Sequence, residues 1–508
     1  MNALDRAIAA IFPQAALRRV QARAVLSMYE GGDRSRLRKF HREGRSANED
    51  VRKYAPNLRA QARHLEKNHD LARGAINTFV NNVVGPNGIG IEPQPRRMDG
   101  SINEEYAAEL REAWRDWCKC PEVTHRFTWA KAQRLMVRRW TVDGEVFAQR
   151  LIGPVQYLDH GTRVPYSLEL LESDLAPHGF DQDKINGSNN VVRQAIERNA
   201  WGQPKALYVF KSEPDEARFV ADASQLKRIP WENILHLAEQ DRIHQLRGVS
   251  RLASVITRLE DVKDYEESER VAAKISAMLT AYIKKGTPDL YDSRQSGGLD
   301  ENGNPKAREI SLAPGTIIDN LGMGEEIGLI DSKRPNPNLI TFRQGQLRAA
   351  AAGFGISYSS FSRDYNGSYS AQRQELVEQW VNYAVCTDDF VGQVIAPVWA
   401  DFVMAAHLSG VVKKPRDLKP GTEDDCLYVA QAMPWIDPLK EAYACEALVK
   451  AGFASEVEMI RRRGANPADV LEQISVWRQK CADKGVAFTT STAPDVLKAL
   501  LIEQGAQQ

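Results

Sequence analysis

Several things are scarce in this chain of 508 residues, and each scarcity excludes something. Six cysteines are too few for a disulfide scaffold and fit a reducing compartment. Charge of one sign is missing too: 67 basic side chains meet 67 acidic ones. That balance excludes a uniformly basic DNA-coating protein, though not local basic patches. No stretch approaches the roughly 18 uninterrupted apolar residues of a membrane span. A bilayer protein is therefore not expected, nor a membrane partner. The first residues (MNALDRAIAAIFPQAALRRV) hold an acid at Asp5 and only a short apolar run, which is poor for a secretory signal.

The tools of catalysis are also missing. There is no Gly-Lys dipeptide, and so no phosphate-cradling loop of the Walker type. There is no His-Glu-x-x-His, no EF-hand loop and no Gly-x-Ser-x-Gly elbow. Asp388-Asp389 and Asp424-Asp425 are adjacent pairs; neighbours on a helix point to different faces, so solvated surface charge describes them better than a magnesium site. Cys118 and Cys120 form a CxC with His125 nearby but no second ligand pair, which reads as free thiols, with zinc the lesser alternative. No catalytic constellation, metal site or cofactor site is expected.

What is present is ordinary globular material, 43% hydrophobic and 26% charged, enough for about two to four substructures. The zero charge hides a gradient: residues 1–75 carry a net +8, 76–360 a net −3 and 361–508 a net −5. The basic arm (Arg34, Arg36, Arg38, Lys39, Arg42, Arg45) is open to two readings, a contact with nucleic acid or an acidic neighbour and a solvated arm. Apolar periodicity predicts helices over 57–84, 102–118 and 129–142. Short β-rich segments follow at 145–152, 166–172, 190–198, 205–211 and 231–238, with a hairpin turn at 199–202.

Val249 to Lys285 is a run of 37 residues without Gly or Pro. A continuous helix there would be about 55 Å long. Its two apolar stripes are separated by the charged collar 263–270, and a helix that long needs partners that oligomerisation supplies. Residues 286–335 then hold eight Gly and four Pro, a small turn-rich β element. A returning helix is expected over 339–354, a polar segment over 357–370, and a helix over 371–396 that Pro397 breaks. The chain is helical again from Trp435.

This order of parts resembles the wing, stem, clip, stem, tunnel loop and crown of tailed-phage portal proteins. Local sequence is similar to the lambda-type family. Arg63-His64-Leu65-Glu66-Lys67-Asn68 and then Asn82-Val83-Val84-Gly85-Pro86-Asn87-Gly88-Ile89 resemble its arginine–leucine–asparagine and valine–valine–glycine region. Asp143-Gly144-Glu145-Val146-Phe147 resembles its aspartate–glycine–glutamate strand start. Asp241-Arg242-Ile243-His244-Gln245-Leu246-Arg247-Gly248 resembles its approach to the stem. Tyr369-Ser370-Ala371-Gln372-Arg373 resembles the segment after the tunnel loop. Each motif is short, but their order and spacing from about 50 to 485 are specific.

The resemblance implies an α+β portal fold assembled as a cyclic oligomer. Its parts would be a basic N-terminal arm (1–45), a helical then β-rich wing (46–247), a first stem helix (248–285), a clip (286–335), a second stem helix (336–356), a tunnel loop (357–370), a kinked helix with the wing return (371–434), and a helical crown and tail (435–508). It implies a dodecameric ring at one capsid vertex through which double-stranded DNA is packaged and ejected. Its implied partners are the terminase large subunit, a head–tail adaptor, and the major capsid and scaffold proteins. Its place would be the virion, and the host cytoplasm during assembly. Twelve helices about 10 Å apart enclose a bore near 28 Å, enough for a duplex.

The same resemblance assigns roles. Arg363, Asp364, Tyr365, Asn366 and Tyr369 would face DNA from the tunnel loop. On composition alone, 357–370 reads equally as a surface loop between two helices. Glu260, Lys263, Asp264 and Glu267 would line the stem channel, where an acidic or mixed wall lets DNA slide. Arg294, Asp300, Glu301, Lys306 and Arg308 would dock terminase and adaptor from the clip. Two other readings stay open: a nucleic-acid-processing enzyme, which lacks its tools here, and a non-portal structural oligomer. The latter calls for a heptad pattern that the collar 263–270 interrupts.

Overall fold

The computed structural model describes residues 46–185, 189–214, 225–278, 282–285, 325–328, 338–431, 433 and 438–484. The chain divides into two compact units, Met1–Asp50 and Val51–Gln508. Of the first, only 46–50 are described, and these open helix α1 (Ala47–Asn68). The class is α+β, as expected.

Helix α1 has Glu49 and Asp50 in its first turn and Lys67 in its last, charges that complement the helix dipole. α2 (Asp70–Val84) follows after one residue. The single helix expected over 57–84 is therefore two. The break is His69, extended at φ −119° and ψ 114°, whose Nδ1 accepts from the Ala72 N–H to cap α2. Nε2 then carries the proton and donates to the Leu259 carbonyl over 3.1 Å. A buried imidazole satisfied on both nitrogens fixes this corner.

After β1 (Gly90–Pro93), α3 (Glu104–Trp117) and α4 (Trp129–Asp143) match the expected helices. Their inward faces build an aromatic core. Trp114 and Trp117 stack at 4.6 Å, and Trp114 meets Trp399 edge-on at 5.3 Å. Each fully buried large side chain contributes about 1.5–3 kcal/mol.

Two antiparallel sheets follow. One has the order β3-β2-β8, from β2 (Glu145–Ile152), β3 (Tyr166–Leu171) and β8 (Ile234–Ala238). The other has the order β4-β5-β6-β7, from β4 (Val191–Arg193), β5 (Ile196–Arg198), β6 (Pro204–Phe210) and β7 (Leu226–Pro230). Sequence patterning does not announce β7, because Lys227 and Arg228 hide its alternation. Arg228 Nε donates to the Glu197 carboxylate over 2.7 Å, which places a charge in that sheet with a partner.

The helix expected over 248–285 is shorter. α5 spans Ile256–Met278, 23 residues, or about 34 Å. The residues before it turn instead of coiling, because their amides are engaged elsewhere: Val249 N–H donates to the Glu239 carbonyl and Arg251 N–H to the Thr141 carbonyl. Beyond α5 the chain forms β9 (Tyr282–Lys285), paired antiparallel with β10 (Glu325–Gly328). Of the segment 286–335 expected as a clip, only β10 (325–328) falls among the described residues.

α6 (Leu339–Phe354) returns beside α5, and a short α7 (Tyr358–Ser362) leads to α8 (Tyr369–Phe390). Pro397 does not break the next helix. A π turn over Val391–Ile395 precedes it, and α9 (Ala396–Leu408) continues the run. The wider turn accommodates a ring that would clash with the carbonyl four residues back and that brings no N–H. The run Tyr369–Leu408 is long and apolar enough, by length and composition, to cross a membrane, and half of its most apolar stretch is buried in the protein. A search for uninterrupted apolar runs misses it because Asp388, Asp389 and Asp401 intervene; Asp401 pairs with Arg150 at 3.0 Å.

β11 (Cys426–Val429) pairs with β1. Helices α10 (Pro438–Lys450), α11 (Glu456–Arg462) and α12 (Pro467–Asp483) follow, where a helical C-terminus is expected. Among their described residues only Cys481 is buried. Ion pairs tie each helix to the rest of the chain: Arg373–Glu441, Arg461–Glu92 and Arg115–Asp469.

Candidate functional site

The sequence motifs that are far apart in the chain meet at the foot of α5. Arg247 and Glu145 are both fully buried, with Arg247 Nη2 2.6 Å from Glu145 Oε1. Arg247 Nη1 donates to the carbonyls of Ala176 and Gln194, at 3.0 and 2.9 Å, and Nη2 also reaches Ser173. All five guanidinium donors are engaged. Glu145 accepts further from Ser173 Oγ at 2.5 Å, His236 Nε2 at 3.1 Å and Gly248 N–H at 3.1 Å.

Burial alone would raise the Glu145 carboxyl. The Arg247 charge and the hydrogen bonds from His236 and Arg247 outweigh it and hold the group well below the usual carboxylate range. His178 sits beside this pair, and burial, reinforced by the Arg247 charge, pushes its imidazole down to about 3. It is therefore neutral near pH 7.

Two residues earlier, Asp143 grips α1. Arg63 Nε and Nη2 each donate to its carboxylate at 2.7 Å. Arg63 also pairs with Asp174 at 2.5 Å and Glu172 at 3.2 Å. Asp143-Gly144-Glu145 is thus a two-sided clamp, one carboxylate on α1 and the other on the approach to α5. Nothing in this cluster offers an exposed nucleophile or an open metal position; it holds elements together.

On α5, Glu260, Asp264 and Glu267 are exposed and share one helical face, with Asp261 beside them. Lys263 does not join that face. Its Nζ donates to the Asn68 carbonyl over 2.9 Å, at the C-terminal end of α1, where a cation is favoured. The opposite side of α5 meets α6: Arg343 pairs with Glu266, Arg258 donates to Gln346 over 2.6 Å, and the Tyr265 and Phe342 rings lie 5.1 Å apart.

Residues 357–370 are not one free loop. Ser357 caps α7 by accepting from the Ser360 N–H, and Ser368 caps α8 by accepting from the Ala371 N–H. Serines that suggest mobility in the sequence therefore work as helix caps. Phe361 is buried, and Arg363 closes α7 in the left-handed region at φ 59°. Its Nη2 donates to Thr78 Oγ1 on α2 over 2.7 Å. Asp364 accepts from the Tyr358 hydroxyl at 3.3 Å. The exposed part is short: Arg363, whose Nη2 is tied to Thr78, then Tyr365, 56% exposed, Asn366, Gly367 and Ser368, with Tyr369 already on the first turn of α8.

Arg294, Asp300, Glu301, Lys306 and Arg308 lie outside the described residues, as does the basic arm. Cys118 and Cys120 are free, and burial raises both thiols. Among the described residues no group of three or more His, Cys, Asp or Glu is placed to hold a metal ion.

A family model described as phage portal protein, lambda family, matches residues 33–386. A probable portal protein of Halomonas phage phiHAP-1 is 25% identical over 426 residues, covering 82% of this chain and 79% of the relative. Portal protein B of Escherichia phage lambda is 22% identical over 451 residues, covering 82% of each. The portal protein of Escherichia phage N15 is 21% identical over 481 residues, covering 87% and 88%. Among solved structures, a chain from the neck of a native GTA particle computed with C12 symmetry aligns at TM-score 0.43 and 11% identity, covering 82% of this chain and 94% of that one. An HK97-family phage portal protein from Corynebacterium diphtheriae aligns at 0.28 and 10%, covering 69% and 93%. Membership of the family rests on the sequence match.

Proposed function

Because this chain belongs to the lambda family of phage portal proteins, we propose that it forms a closed homo-oligomeric ring at one capsid vertex and passes double-stranded DNA in and out. The match over residues 33–386 carries this reading. The ring docks the terminase large subunit during packaging and a head–tail adaptor afterwards, and contacts the major capsid and scaffold proteins. It assembles in the host cytoplasm and ends in the virion. Its role is structural rather than enzymatic.

The exposed acidic face of α5 supports the conduit. DNA binds where Lys and Arg release its counterions, so a wall bearing Glu260, Asp261, Asp264 and Glu267 does not grip. Closure supplies every copy with the same two contacts, and gives the sparsely buried C-terminal helices neighbours. Clip residues Arg294, Asp300, Glu301, Lys306 and Arg308 are the docking contacts in this reading, and the tip of 357–370 approaches DNA.

Native mass spectrometry or particle imaging of the purified chain tests it. Twelve copies of 56.9 kDa give about 680 kDa, and rings of a neighbouring number made without a capsid also agree. A stable monomer at micromolar concentration overturns the reading.

A further inference from the structure

Arg363 is the one cation in 357–370 and the residue expected to meet a phosphate there. Its guanidinium is instead held within its own subunit, 2.7 Å from Thr78 Oγ1. Thr78 is 8% exposed, and its hydroxyl hydrogen goes to the Gly74 carbonyl at 2.9 Å. That leaves its lone pairs for Arg363. The backbone at Arg363 is left-handed, which costs a non-glycine residue roughly 1 kcal/mol and persists only where contacts hold it.

Past Arg363 the ties are local. Asn366 N–H donates to Asp364 Oδ1 at 3.2 Å, and Gln372 on α8 donates to the Tyr365 carbonyl. The Arg363–Thr78 bond thus ties this segment to α2 at the point where the open residues 365–368 begin.

We propose that Thr78 is a positioning residue for the channel loop: its hydroxyl seats Arg363, so Arg363 anchors the loop to α2 and leaves DNA contact to the tip 365–368. This rests on reading 357–370 as the channel loop.

Hydrogen exchange of the full-length protein tests the seat directly. Thr78→Val and Arg363→Met should each raise amide exchange across 365–368 roughly three- to tenfold, with exchange in α3 unchanged. The double variant should exceed neither single by much, because both remove one bond. Thr78→Ser keeps the hydroxyl and should behave as wild type. Wild-type tip exchange in Thr78→Val, or effects that multiply in the double variant, overturns the proposal. Should Thr78→Val not fold, Arg363→Met decides alone, and wild-type tip exchange in it overturns the assignment. Genome retention in assembled particles separates the two readings. A loosened tip with full retention upholds the seat and removes the channel role of 357–370.

Discussion

Gly248 lies so close to Gly144 that a Cβ on it would sit 1.9 Å from the Gly144 carbonyl oxygen. A Cβ on Gly144, where φ is +88°, would in turn meet the backbone of Val249 at 2.3 Å. Two chain segments cross here backbone to backbone, and only glycine fits at either position. Gly248→Ala should therefore cost on the order of 3 kcal/mol or more, read as a lower urea midpoint. A variant within about 1 kcal/mol of wild type would show that the crossing can open cheaply.

The Arg247–Glu145 pair gives a second expectation. Glu145→Leu leaves a buried guanidinium without its anion and should cost about 3–5 kcal/mol. Glu145→Leu combined with Arg247→Met removes both charges and should recover part of that loss. Denaturation of the two singles and the double measures the coupling, and simple additivity contradicts it.

Acid should loosen the same cluster. His178 is lowered from 6.5 to about 3 when folded, so between those values the unfolded chain holds a proton the folded chain lacks. Stability then rises with pH through that window, by up to about 1.4 kcal/mol per unit, and is fully present above 6.5. Glu145, lowered as well, adds a loss of the same sign below its ordinary range. His178→Leu should flatten the slope between about pH 4 and 6.5 in urea titrations. An unchanged slope assigns the acid sensitivity to other groups.

If the acidic face of α5 lines the channel as proposed, reversing its charge should create a grip on duplex DNA. Glu260→Lys, Asp264→Lys and Glu267→Lys together should give measurable duplex binding by the assembled protein. Each phosphate that a new lysine neutralises should steepen the salt dependence by about 0.9 in log–log slope. Filter binding across a salt series checks it. Absent binding in the triple variant means this face does not see DNA.

If 286–335 is the docking clip as proposed, deleting 292–306 should leave the ring's mass, less the deleted residues, unchanged while abolishing packaging. Normal packaging by the deleted protein removes the docking assignment for Arg294, Asp300, Glu301, Lys306 and Arg308.

Much of the fold is legible in the sequence because most of its elements announce themselves locally. Helices α3, α4 and α6 end at clear stops, and β2 and β3 are short β-rich segments bounded by turn residues. What escapes depends on distant contacts. The late start of α5 follows from amides taken by Glu239 and Thr141 carbonyls, and β11 exists only because β1 is its partner. The break at His69 needs the Leu259 carbonyl across the fold. At the candidate site, Glu260, Asp264 and Glu267 share an exposed face of α5 because they lie four and three residues apart on a helix. It cannot place Lys263 on the α1 terminus or Thr78 under Arg363, since neither contact leaves a trace in local sequence. Serine caps, for their part, resemble a flexible run when read residue by residue.

The clamp at 143–145 has a mechanical meaning. Helix α1 and the approach to α5 are joined by two side-chain bridges on one three-residue strand start, so a displacement at Arg247 reaches Arg63 through a few peptide units. A load on α5 is thereby delivered to α1 by short-range charge pairs through the first residue of β2, bypassing most of the chain that separates the two arginines in sequence.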